Sequence, residues 1–290
     1  MDTLETARAF LEMNQVGPLA AIKPNSRSQI AQCPDCGRQF EQVVFIRPDN
    51  SEVAPDPRCD ECSEAHDANQ RRLAHAQELE MVKGQRRQEW LAALNQELGE
   101  KFHESTFGNF DKAKQPAAFK VMQSWDGQSL VLASPPGIYG VGKTHLCAAL
   151  AHKLVDSLDS AVSIHGSVVR LPRPVLFTSE PMLMDRIRAT FHDDSAECDE
   201  AIYAQLENVR LLIIDDVGKR QPRDLNFTQQ VWYRIIDGRY RKQKPVVLTT
   251  NLLPVDMEQH IGGAPADRLT EMVGPKGFIA MKGESYRRRA

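Results

Sequence analysis

Apolar residues change their spacing along this chain near Thr106. Upstream they are sparse. Residues 3–14 place Leu4, Ala7, Phe10 and Leu11 on one helical face. Breaking residues follow over 24–28, and a short apolar run, VVFI (43–46), stands between two cysteine pairs. The stretch 64–103 carries Leu73, Leu79, Leu91, Leu94 and Leu98 among many charges and no proline, which predicts one long helix. Its thin apolar face suits a connecting helix rather than a core one.

Downstream, short apolar runs bounded by turn residues alternate with helical patterns. SLVLAS (129–134), PVLFTS (174–179), VRLLIID (209–215) and PVVLTT (245–250) predict buried parallel strands. Helical patterns lie between them at 143–157, 181–192 and 225–240, and 159–173 predicts a loop or hairpin inserted before the second strand. Strand–helix alternation of this kind gives a three-layer α/β fold with a parallel sheet. The expected division is a helical N-terminal segment (1–30), a metal-binding module (31–66), a helical linker (67–105) and an α/β domain (106–290).

GIYGVGKT (137–144) supplies the chemistry of that domain. It follows a predicted strand and opens a helix, the context that a phosphate-binding Walker A loop requires. Gly137, Gly140 and Gly142 let the backbone curl so that N–H groups face phosphate oxygens, and the helix N-terminus adds its positive end. Lys143 is expected to reach the β- and γ-phosphates of ATP and the Thr144 hydroxyl to ligate Mg²⁺; His145 completes the nucleotide-binding stretch. In LLIIDDVG, four apolar residues bury a strand and set Asp215 at its C-terminal edge, where ligands of open α/β sheets bind. Asp215 is the expected Mg²⁺ carboxylate, and Asp216 the group that polarises the attacking water. Asn251, at the tip of the next strand, either places a water opposite the γ-phosphate or simply sits in the turn before Leu252.

Four of the six cysteines fall as Cys33-x-x-Cys36 and Cys59-x-x-Cys62, with 22 residues between the pairs. This spacing predicts a structural Zn²⁺ held by four thiolates in a small ribbon. His66 is a rival ligand by position, with the alternative of an exposed residue on the polar helix. Such a module buries too little to fold unaided, so the metal would supply folding energy.

Charge adds one qualification. The net charge of the chain is −3, yet 219–244 is rich in Lys and Arg and the sequence ends YRRRA. Arg234, Arg239, Arg241 and Lys242 either face DNA at the centre of a subunit ring or form a solvated face. No apolar run approaches the ~20 residues of a membrane helix, and the N-terminus lacks a signal-peptide core. The expectation is a cytoplasmic protein without a membrane partner.

Taken in order, the phosphate loop, LLIIDDVG, VVLTTN, ADRL (266–269) and GESYRRR (283–289) resemble the AAA+ ATPases of the DnaC/IstB group. These are bacterial and phage helicase loaders and ATPase subunits of some transposons. The resemblance covers about 107 to 290. It implies ATP hydrolysis, with Arg268 as an arginine finger reaching the γ-phosphate in a neighbouring subunit and Arg287 as a phosphate sensor in its own. Read without the family, Arg268 is a surface ion pair with Asp267 or Glu271. Asp216 stands where AAA+ proteins usually carry Glu, but an Asp pair is common in this group. Only 39 residues follow Asn251, too few for the full helical lid of other AAA+ proteins. The implied function is a loader that grips a replicative DNA helicase through its N-terminal zinc module, assembles with ATP into a ring or spiral, and engages single-stranded DNA. A transposition ATPase acting on duplex DNA, and a nucleotide-regulated zinc adaptor for nucleic acid, are the competing readings.

Overall fold

The computed structural model describes residues 25–54, 56–192 and 197–286. The helical face expected at residues 3–14 lies outside them. The chain divides into two compact units, 1–77 and 78–290.

The described part of the first unit is an antiparallel sheet of β1 (Asn25–Gln32), β2 (Gln39–Ile46) and β3 (Glu52–Val53), followed by the start of helix α1 (Asp60–Leu98). Residues 25–30 are therefore strand, where a helical segment was expected. Pro24 disfavours helix in its neighbourhood, and the residues after it pair in register with β2, Ser28 opposite Val43 and Ile30 opposite Glu41. The expected apolar run supplies β2, whose Val44 is buried.

The second unit contains five parallel strands in the order β10–β4–β9–β8–β7: β4 (Leu130–Ala133), β7 (Val175–Ser179), β8 (Leu211–Val217), β9 (Val246–Thr250) and β10 (Phe278–Ala280). Side chains of the strands alternate between two faces, as the pleat requires. Leu130, Leu132, Ile213 and Val247 join one core cluster, while Val131, Ile214, Val246 and Leu248 join the other. The end of α1, α2 (Pro116–Gln123) and α3 (Lys143–Ser157) feed the first cluster. The second is fed by α4 (Glu180–Ala189), α5 (Asp199–Asn208), α6 (Leu225–Arg241), α7 (Pro254–Ile261) and α8 (Gly263–Val273). The expected insertion at 159–173 holds a hairpin of β5 (Ala161–Ile164) and β6 (Ser167–Arg170).

Helix α1 departs from its expected role. Trp90, Leu94 and Leu98, spaced four apart, are buried in the first cluster, each worth roughly 1.5–3 kcal/mol of burial. Glu97, on the same stretch, accepts two bonds from Arg173 Nη2 (2.6 and 2.9 Å) and one from the Phe177 N–H (3.0 Å). Phe177 belongs to the edge strand β7, so a side chain occupies a backbone donor that an edge leaves open. Burial pushes the Glu97 carboxyl up despite the guanidinium beside it. The C-terminal part of α1 is thus core to the α/β unit.

Candidate functional site

The parallel order brings three strand tips together, with β9 between β4 and β8. The chain leaves β4, forms the loop 134–142 and enters α3 with Gly142 at φ +96°. A Cβ at Gly142 would lie 2.7 Å from the Phe110 ring, so glycine is needed there for conformation and for space. Lys143 is 7% exposed, and its Nζ donates to Ser134 Oγ (2.6 Å) and Asn251 Oδ1 (3.1 Å). Asn251 Nδ2 donates to Ser134 Oγ (2.8 Å) and to the Ile138 carbonyl (2.7 Å), which ties the β9 tip to the phosphate loop.

Asp215 is buried and accepts from Thr144 Oγ1 on Oδ2 (2.9 Å) and from Thr249 Oγ1 on Oδ1 (2.5 Å). Thr249 also accepts the Asp216 N–H (2.9 Å). The β8–β9 register shifts between Ile214 and Val217, and Asp216 there takes φ +58°, a conformation that Asp tolerates better than most residues. The Asp216 carboxylate is paired with Lys219. Mg²⁺ takes oxygen ligands, and the adjoining Thr144 hydroxyl and Asp215 carboxylate are donors of that kind. When bound, the ion neutralises charge on the β- and γ-phosphates.

A cavity of about 750 Å³ is lined by Gly140, Gly142, Lys143, Thr144, Asp216 and Asn251 among others, while the buried Asp215 is bonded to the lining residue Thr144 and is not itself part of the wall. That volume suits a nucleotide-sized ligand (roughly 300–1,000 Å³). His145 also lines it, with Nε2 3.0 Å from the Thr106 carbonyl, whereas Gly137 does not. Among the aromatic residues that line the cavity, Phe110 and Tyr286 are not singled out by the sequence: Phe110 lies in no motif, and Tyr286 stands in GESYRRR beside the arginine expected to carry the function. Phe110 precedes the first strand of the sheet. Tyr286 comes from the far end of the chain, its N–H donating to the Gly140 carbonyl (2.9 Å) and its hydroxyl to the Asp111 carbonyl (2.9 Å). Ser134 and Thr249 carry no signal of their own in the sequence; their place in the site comes from bonds to Lys143 and Asn251 and to Asp215 respectively.

Arg287 lies outside the described residues. Arg268 does not line the cavity. It pairs with Asp237 of α6 (3.0 Å), not with Asp267 or Glu271, and sits over the ring of Tyr233. The basic run on α6 also departs from expectation. Arg239 is fully buried and donates to the carbonyls of Leu206 (2.5 Å), Val209 (3.2 Å) and Pro245, and burial pulls its guanidinium down to about 9. It closes the loops leading into β8 and β9 and cannot face DNA. Arg234, Arg241 and Lys242 each pair with a carboxylate, of Asp199, Asp237 and Glu207 respectively.

In the first unit the Sγ atoms of Cys33, Cys36, Cys59 and Cys62 all lie within 4.8 Å of one another. Cys36 and Cys59 are 3.7 Å apart, matching the edge of about 3.8 Å for a tetrahedron with metal–sulfur bonds of about 2.3 Å. The first knuckle turns at Gly37 (φ +73°), whose N–H donates to the Cys33 carbonyl (2.9 Å). Burial opposes a thiolate at Cys33, but N–H groups of Cys59, Cys36 and Asp35 outweigh it and hold the thiol down to about 6. Cys62, facing the sulfurs of Cys36 and Cys59, is pushed up. The donor set therefore fits Zn²⁺, a cation that removes the conflict among four crowded sulfurs. His66 is not part of the cluster.

A phosphate loop, a buried strand-tip carboxylate and a polar tip on the strand between them, all on a five-stranded parallel sheet, define an ATP-binding protein of the AAA+ class. The chain belongs to the family of IstB-like ATP binding proteins, whose model matches residues 83–290. Over 159 residues it is 24% identical to a replicative helicase loader DnaC of Buchnera aphidicola subsp. Acyrthosiphon pisum, covering 55% of this chain and 56% of that one. Over 170 residues it is 31% identical to an ATP-binding protein of insertion sequence IS21 from Pseudomonas aeruginosa, covering 55% and 52%. The chain thus spans about half the length of these curated relatives. A crystal structure of the DnaC helicase loader aligns with 63% of this chain and 100% of its own, at 18% identity and a TM-score of 0.48. Among the described residues no helix is long and apolar enough to cross a membrane.

One consequence of this geometry can be measured directly. Burial, and then the neighbouring Asp216, hold the Asp215 carboxyl above its ordinary value, against the pull of Thr249, Thr144 and Lys143. Between the ordinary and the raised value the native chain binds more protons than the unfolded one, so the fold loses stability as pH rises through that interval. Asp215→Asn removes this titration and keeps the acceptor for one threonine. Without nucleotide it is expected to raise the melting temperature at pH 7 and to flatten its fall with pH, while Mg²⁺-dependent ATP turnover collapses. Thermal unfolding at several pH values beside an ATPase assay checks both halves. An unchanged melting profile counts against the burial penalty, and retained turnover against the metal role.

Proposed function

We propose that this protein is an ATPase that loads a replicative DNA helicase onto single-stranded DNA. The observation that carries the reading is the coexistence of a phosphate loop opening on a nucleotide-sized cavity in one compact unit with a four-cysteine cluster in another. Lys143 meets the charge of the β- and γ-phosphates. Asp216 and Asn251 orient the attacking water, and Arg268 from a neighbouring copy stabilises the charge on the γ-phosphate in the transition state, the part that guanidinium groups play in phosphoryl transfer. Arg268 suits a shared site because it stands outside its own cavity. The zinc module holds the helicase, and ATP draws subunits into a ring or spiral that engages DNA. The IS21 relative favours a second reading, an ATPase of transposition acting on duplex target DNA.

The test is anisotropy of labelled single-stranded and duplex DNA, with ATP and with ADP, at fixed salt. A loader binds the single strand more tightly with ATP, since bases stack as well as phosphates pair, and binding weakens steeply as salt rises. An ATP-dependent preference for duplex selects the transposition reading.

A further inference from the structure

Glu180 has no part in the nucleotide chemistry described so far, yet it is the first residue of α4 and only 3% exposed. Leaving a carboxylate that deep without partners would be costly, and here it has three. Its Oε2 accepts the Gly218 N–H at 2.6 Å, and its Oε1 accepts Trp232 Nε1–H at 2.6 Å and faces His260 Nε2 at 2.7 Å. Gly218 lies within the turn that Asp216 opens and the Lys219 N–H closes on the Asp216 carbonyl (3.1 Å), and both Asp216 and Gly218 line the nucleotide cavity. Trp232 is on α6 and His260 on α7. These helices pack with α8, which carries Arg268, and Arg268 pairs with Asp237 of α6. The turn has little room to relax. Gly218 sits at φ +75°, and a Cβ there would lie 2.3 Å from Leu252, the residue after Asn251.

We propose that Glu180 is a positioning residue for ATP hydrolysis, which fixes the Asp216–Gly218 turn through the Gly218 N–H and ties that turn to the α6–α7 pair bearing on Arg268. The carboxylate suits this role because its two oxygens face opposite ways, one toward the turn and one toward the helices. An amide cannot do the same. If the amide oxygen in a Glu180→Gln variant keeps Trp232 and His260, the NH₂ meets the Gly218 N–H, donor against donor, and the turn must shift. Asp216 shifts with it. The proposal rests on the hydrolytic reading above.

The experiment compares the full-length wild type with Glu180→Gln and Trp232→Phe, the second of which removes one donor from the helix side and leaves the bond to Gly218. Glu180→Gln is expected to lower kcat about ten- to a hundredfold, as small displacements around a reacting centre do, with KM and the affinity for a non-hydrolysable ATP analogue within about twofold of wild type. Trp232→Phe is expected to lower the melting temperature while holding kcat within about threefold. A kcat for Glu180→Gln within twofold of wild type overturns the assignment, as does an equal loss of kcat in Trp232→Phe. The coupling is read in the wild type alone, so it survives a variant that fails to fold. On adding the analogue, amide exchange should slow together in the 216–220 turn and in α7. Protection of the turn with α7 unchanged overturns the link to the helices. No turnover by the wild type overturns the hydrolytic reading and this one together, whereas wild-type turnover with an unaffected Glu180→Gln variant overturns this one alone.

Discussion

Lys143→Ala is expected to lower ATP turnover by roughly 10²–10³-fold, the loss seen when one preorganised charge-stabilising donor is removed from a reacting centre. Lys143 is 7% exposed and its ammonium is already aimed, with Ser134 and Asn251 both within hydrogen-bond reach. Little reorganisation is needed before it meets a phosphate. Alanine leaves Ser134 still hydrogen-bonded, because the Ser134 hydroxyl donates to the Ile138 carbonyl and accepts from Asn251. The fold should therefore survive, and a thermal melt close to wild type is part of the expectation. Lys143→Arg is the sharper control. A guanidinium keeps the charge but is planar and wider, and the loop around it is closed by Phe110 and the turn at Gly142. Arginine should recover only part of the activity. Steady-state phosphate release with each variant, beside calorimetric binding of ADP, checks the result. Turnover within a few-fold of wild type in the alanine variant places hydrolysis elsewhere.

The phosphate site was legible because each of its parts is a short, contiguous signal. A glycine-spaced loop and an apolar run ending in carboxylates carry their meaning locally, and the strands that hold them are uninterrupted apolar stretches. What the sequence hid is what depends on distant partners. Glu180 follows a predicted strand and reads as an ordinary first-turn acid; only the fold brings Gly218, Trp232 and His260 to it. Arg239 reads as one base in a basic run, yet its neighbours face solvent and it faces carbonyls. Strand β10 is three residues long, too short for any periodicity, and exists because β4 offers an edge. The end of α1 reads as linker in the sequence because its buried stripe is confined to Trp90, Leu94 and Leu98 and is diluted by the polar turns before it.

Removing the metal is expected to unfold the N-terminal unit and leave the ATP-binding unit standing. The contrast follows from the two cores. The α/β unit buries two continuous clusters, one on each face of its sheet. In the first unit the buried residues among those described are Cys33, Gln42, Val44 and Cys59. Two of these four are the proposed ligands themselves, so what the core lacks must come from the metal. Structural zinc can contribute on the order of 10–16 kcal/mol to the folding of small modules, while fully burying one side chain such as Val44 gives about 1.5–3 kcal/mol. Without the cation the four sulfurs crowd together with conflicting protonation, Cys33 held down and Cys62 pushed up. The purified chain should carry one zinc, released on titrating the cysteines with a mercurial. Cys33→Ser, or a strong chelator, should expose 25–59 to protease and speed its amide exchange, with ATP binding retained by the rest of the chain. Cys147, buried beside Asp215 in the nucleotide-binding unit, and Cys198, which is exposed, serve as internal controls, since replacing Cys198 should leave the metal content unchanged. Absence of metal from protein prepared without chelator, or an N-terminal unit that stays protected in Cys33→Ser, sinks the zinc assignment. Loss of ATP binding together with the metal would show instead that the two units do not fold independently.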